Sequence, residues 1–141
     1  MKRLFCMLLY LTSMVCLMNA QSVKSFKYVL IESQKGSPKD VEERLYEGFT
    51  ELGFKVIKEE DYDSLQDLEP NSVLLAKYRC RQSASCIFKL QLYDKQGTEV
   101  YEDEQICANG FMSKRLDRRG AISRIFKQLQ KELSSSEDKT N

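Results

Sequence analysis

The chain has 141 residues, 22 Lys and Arg against 21 Asp and Glu, and no histidine, for a formal net charge of +1. So even a balance gives no global pull on nucleic acid or anionic membrane. Without histidine there is no Ser–His–Asp or Cys–His catalysis within the chain and the commonest metal ligand is missing, so neither a metal nor a cofactor is expected.

Residues 1–20 open with Lys2 and Arg3, continue apolar from Leu4 to Met18 apart from Thr12 and Ser13, and end on the small Ala20. That is the layout of a secretory signal peptide, which implies export to a periplasmic or extracellular space. The apolar run is shorter than the roughly 20 residues a spanning helix needs, so no stable membrane span is expected after cleavage. A lipid anchor on Cys16 is the lesser reading, because Val15 stands where a small residue is wanted. Removing Lys2 and Arg3 takes the 22 basic residues to 20 against 21 acidic ones, a mature charge near −1. The mature chain, 21–141, is long enough for one domain, 21–133, with one modest core.

Lys27–Ile31 is a short, nearly continuous apolar run of strand formers, which suits a central strand. Ser37, Pro38 and Asp40 read as an N-cap, a first-turn proline and a capping box. Val41, Leu45, Phe49 and Leu52 then follow at helical spacing to Gly53, placed for a left-handed cap. Phe54–Ile57 is a second strand, and a strand–helix–strand unit makes the two strands parallel. The stretch 59–69 is an acidic connector in which Leu65 and Leu68 suit one helical turn. Ser72–Arg81 and Cys86–Tyr93 are the third and fourth strands, and Phe88, Leu90 and Leu92 alternate with polar partners. Asp94-Lys95-Gln96-Gly97 is a tight turn. Thr98–Glu104 is a fifth strand whose carboxylates suit an exposed edge. Gln105–Arg115 reads as irregular, with a turn at Asn109-Gly110. Leu116–Leu133 is a closing helix with Ile122, Ile125, Phe126, Leu129 and Leu133 on its apolar stripe. The tail 134–141 is polar and expected to be disordered. The pattern β-α-β-β-β-β-α is α+β, a mixed sheet packed by two helices, with the last three strands as an antiparallel meander.

Four constellations carry possible chemistry. Cys80 and Cys86 flank a five-residue link between antiparallel strands, where a disulfide is feasible, against two reduced thiols or a pairing with Cys107. Cys107 is left over and reads as a small buried residue. Lys114, Arg115, Arg118 and Arg119 cluster at the entrance to the last helix and suit an anion or an acidic partner, against a plain solvated face. The connector carboxylates Glu59, Glu60, Asp61, Asp63, Asp67 and Glu69 offer material for a small carboxylate-dependent hydrolase, although nothing in the spacing selects an acid and a base. They lack the glycine and terminal glutamate of a calcium loop.

The layout, with Ser72-Val73-Leu74-Leu75-Ala76 and the hairpin Phe88–Val100, resembles small bacterial envelope domains. These are related to the curli-secretion lipoprotein and to outer-membrane lipoprotein activators of penicillin-binding proteins. The resemblance implies action through protein contacts and identifies no functional residue. The reading is an exported, non-enzymatic accessory domain with an envelope or secreted protein partner. A hydrolase and an anion-binding module are the alternatives.

Overall fold

Alternating burial along the strands builds one five-stranded sheet in the order β2-β1-β3-β4-β5. The strands are β1 (Tyr28–Ile31), β2 (Lys55–Ile57), β3 (Val73–Gln82), β4 (Cys86–Tyr93) and β5 (Glu99–Cys107). Two helices, α1 (Lys39–Glu51) and α2 (Lys114–Ser135), pack on one face. This computed structural model describes residues 22–61, 69–108 and 113–135. The expected signal peptide, the Leu65–Leu68 turn, the Asn109-Gly110 turn and the end of the tail lie outside those residues.

The fold is the expected α+β mixed sheet. β1 pairs in parallel with β2 and also with β3. It therefore lies inside the sheet, and Val29 and Leu30 are buried on opposite faces. β3, β4 and β5 form the antiparallel meander, and the acidic β5 is an edge. β5 runs on to Cys107, past the expected end at Glu104. The continued pairing of Gln105, Ile106 and Cys107 with β4 overrides the local polarity that suggested a loop.

Helix α1 starts one residue later than the capping-box reading implies. Pro38 is the N-cap, in extended conformation, and makes no side-chain cap. Asp40 turns away from the cap because Arg118 offers it two charge-assisted hydrogen bonds. The other end matches expectation. Gly53 has φ +91°, its N–H donates to Thr50 O, and the Phe54 N–H donates to Phe49 O. These two bonds satisfy the last carbonyls and turn the chain directly into β2. α2 begins at Lys114, where Ser113 Oγ accepts from the Leu116 N–H.

The helices lie side by side and run in the same direction. Asp40 meets Arg118, Arg44 meets Ser123, and Gly48 meets Phe126. Beneath them Val29, Leu74, Ala76, Phe88, Leu90 and Leu92 form the sheet side of the core. Phe49, Ile122, Ile125 and Leu129 close it from above. The opposite face of the sheet carries Lys77, Lys89 and Glu102. Lys89 pairs with Glu102 at 2.8 Å, and Lys77 lies over the Tyr93 ring at 5.6 Å.

Candidate functional site

A groove lies between α1 and the ends of β1 and β2. Its volume is about 740 Å³. Ile31 and Val56 supply its apolar floor, and Tyr46 stands on the α1 side. The groove exists because α1 spends Val41, Leu45, Gly48 and Phe49 on the core. The positions between them, Glu42, Glu43, Tyr46 and Glu47, are left on the flank above β2. Tyr46 is 47% exposed, unusual for a large ring on a helix that packs so well elsewhere.

The rim is acidic. Glu42, Glu43, Glu47, Glu59 and Glu60 line it against Lys58 alone. Some of these carboxylates have local partners. Glu47 accepts from Arg44 at 2.9 Å, and Glu59 accepts from the Ser33 N–H at 3.2 Å. Glu42 accepts from the Tyr78 hydroxyl at 3.1 Å. A groove of this size with an apolar floor and carboxylates on its margin suits a cationic group carried on an aliphatic stem, such as Lys or Arg side chains.

A second cluster sits where the N-terminal turns of the helices meet β3 and β4. Arg118 donates from Nε to Asp40 Oδ2 at 2.9 Å and from Nη2 to Asp40 Oδ1 at 2.8 Å. Both side chains are mostly buried, at 14% and 19% exposure. The Arg118 hydrogen bonds hold the Asp40 carboxyl below its ordinary value. A lowered native pKa gives stability that is complete above the unfolded value and is lost as pH falls through the native one. Asp40→Asn is therefore expected to cost about 2 kcal/mol at neutral pH, in the range for hydrogen bonds to charged groups. The gap to the parent protein should shrink as the pH falls through the ordinary carboxylate range and on below it, as Asp40 itself protonates. Urea unfolding at several pH values checks this.

Cys80 and Cys86 lie beside that ion pair. They are thiols in S–H···S contact, with Sγ atoms 3.7 Å apart and no disulfide between them. Cys86 is fully buried and Cys80 partly so. Burial raises both thiols, and Cys86 is pushed up to about 12. Cys107, opposite Cys86 in the β4–β5 register, is buried beneath Gly120 of α2. That is the small buried environment expected for it.

The basic cluster divides. Lys114, Arg115 and Arg119 are exposed around the first turns of α2. Arg118 is committed to Asp40. The structure thus brings three of the four to the surface and uses the fourth to join the helices. Of the connector carboxylates, Glu59, Glu60, Asp61 and Glu69 are exposed, and Asp63 and Asp67 lie outside the described residues. Among the described residues no group of three or more His, Cys, Asp or Glu side chains is arranged to hold a metal. No helix among them is long and apolar enough to cross a membrane.

Sequence reasoning missed the groove and the Asp40–Arg118 pair. Tyr46, an aromatic off the apolar stripe of α1, was the available signal for the first. Nothing local signals the second, whose partners are 78 positions apart.

No known protein family matches the chain, and no curated protein matches it. Among solved structures the chain is similar to a dodecamer of a PelC variant from Paraburkholderia phytofirmans. The TM-score is 0.54 at 12% identity, over 77% of this chain and 91% of that one. Likeness at that identity shows a shared fold.

Proposed function

We propose that this chain is an exported, non-enzymatic interaction domain of the cell envelope or secreted space. The observation that carries the reading is the α1–β2 groove, with its apolar floor, exposed Tyr46 and glutamate margin. Its partner is a protein segment presenting Lys or Arg beside aliphatic side chains. Binding buries the aliphatic stems against Ile31 and Val56 and leaves the cationic heads on Glu43 and Glu47. The resemblance to envelope domains that act through protein contacts supports the same reading. The fold neighbour PelC is a dodecamer, which makes self-association of this chain a natural companion measurement, by light scattering of the purified protein.

A photocrosslinking residue at Tyr46, in tagged protein expressed in its native compartment, tests the proposal. A discrete protein adduct is expected at Tyr46 and not at Lys89 on the opposite sheet face. Glu43→Lys with Glu47→Lys should lower its yield about tenfold, the scale of losing about 1.4 kcal/mol. Equal crosslinking at both positions, or full-length protein retaining residues 1–20 in the cytosol, would sink it.

The exposed trio Lys114, Arg115 and Arg119 favours a second reading, an anion-binding module. It requires salt-sensitive binding of inorganic phosphate or an acidic peptide that charge reversal at Arg115 and Arg119 abolishes. Binding unchanged by that reversal removes it.

A further inference from the structure

The two thiols of the β3–β4 hairpin are not equivalent. Cys80 lies opposite Phe88 and Cys86 lies opposite Gln82. They are therefore diagonal neighbours on the helix-facing side, in a hairpin closed by only residues 83–85. Diagonal side chains in a twisted pair come within reach of one another, and here the sulfur atoms already touch at 3.7 Å. A bond needs about 2.0 Å, a distance that side-chain rotation and a small adjustment of the hairpin end supply. Cys107 competes for Cys86 by register, but its sulfur is packed against α2. A Cβ built on Gly120 would lie 2.5 Å from Cys107 Sγ.

We propose that Cys80 and Cys86 close to a disulfide by exchange with an external disulfide oxidant, Cys80 reacting first and Cys86 resolving the intermediate. The proposal rests on the hairpin geometry and stands apart from the interaction reading. The Cys80 thiolate attacks one sulfur of the oxidant, forming a mixed disulfide and expelling a thiolate. Cys86 then loses its proton and its sulfur attacks the Cys80 sulfur, expelling the second thiolate. Two cysteine thiols are oxidised by two electrons, one oxidant disulfide is reduced to two thiols, and the two protons released end on those products.

The order follows from access. Cys80 is partly open to solvent, whereas Cys86 has no exposed surface. Arg118 stabilises negative charge at both sulfurs, against the larger opposing effect of burial, and so does not set the order. Cys86 meets burial and the neighbouring Cys80 together. It reacts once a sulfur electrophile is held beside it, which the mixed disulfide at Cys80 provides.

The test treats reduced, folded mature protein with oxidised glutathione, followed by acid quench, alkylation and intact mass. The expected product lacks two thiols, carries no glutathione and maps as Cys80 linked to Cys86. Cys86→Ser should retain one glutathione on Cys80, and Cys80→Ser should take none while folded. In case a substitution at the buried Cys86 disturbs folding, the parent protein supplies an independent measure. Limited alkylation of the reduced fold should label Cys80 at least about tenfold faster than Cys86. A Cys86–Cys107 link, three intact thiols after treatment, or Cys86 labelled first would overturn the proposal.

Discussion

Replacing Phe49 by alanine is expected to lower the stability of the fold by about 3–5 kcal/mol, the cost of truncating a fully buried aromatic ring. Phe49 has no exposed surface and ties α1 to α2 and to the start of β2. Its ring meets Phe126 of α2 edge-on at 5.0 Å and Phe54, at the entrance to β2, at 6.1 Å. Removing it takes away apolar burial and both edge-to-face contacts. It also opens a void bounded by two helices and a strand start. These walls cannot collapse together, since each is anchored to a different part of the sheet. A domain of this size has about 5–15 kcal/mol in total, so the variant sits near the edge of folding. Urea unfolding followed by circular dichroism should show a large drop in midpoint with an unchanged slope. Phe49→Leu, which keeps most of the volume, should cost less than half as much. Equal losses for the two would show that burial at this position is not what holds α1 down.

Gly48→Ala is expected to destabilise by about 1–3 kcal/mol, although alanine is ordinarily the better helix residue by about 1 kcal/mol. The reason is contact between the helices. A Cβ built on Gly48 falls 2.4 Å from Phe126 Cε2 and 2.5 Å from Cδ2 and Cζ. The Phe126 ring cannot swing aside cheaply, because it is buried and already packed against Phe49. Either the helices separate or the ring leaves its rotamer. A double-mutant cycle separates these effects from helix propensity. Phe126→Leu should relieve the clash, so that Gly48→Ala costs at least about 1 kcal/mol less in that background. Strict additivity of the two substitutions would remove the steric account.

Both substitutions bear on the groove as well as on stability. Tyr46 and Glu47 reach it only because Gly48 and Phe49, the next positions along α1, hold the opposite flank against α2 and the sheet. A variant that remains folded with α1 displaced should lose crosslinking at Tyr46 together with stability. Charge reversal at Glu43 and Glu47 should lose crosslinking alone.

Much of the local architecture was legible in the residues themselves. Apolar spacing along Val41, Leu45 and Phe49 marked α1, and alternation through Phe88, Leu90 and Leu92 marked β4. Gly53 and Gly97 marked the turns where φ is positive. These features are local because helix and strand periodicity and left-handed turns depend on neighbours a few positions away. The boundary errors arose where tertiary contacts outvoted such preferences. β5 continued to Cys107 because β4 offered it a ladder, and Asp40 left its cap because Arg118 offered a bidentate partner.

By itself the sequence determined the kinds of elements, their order, the faces they bury and the absence of histidine chemistry. The tertiary structure decided what those faces meet. It placed β1 between β2 and β3, set Gly48 against Phe126, and brought Cys80 within 3.7 Å of Cys86. It also gathered Glu42, Glu43, Tyr46 and Glu47 on one helix flank with Glu59 and Glu60 after β2 as the margin of a groove. Periodicity records that a side chain leaves water, but not which distant surface receives it, and the groove and the ion pair are both made of such distant meetings.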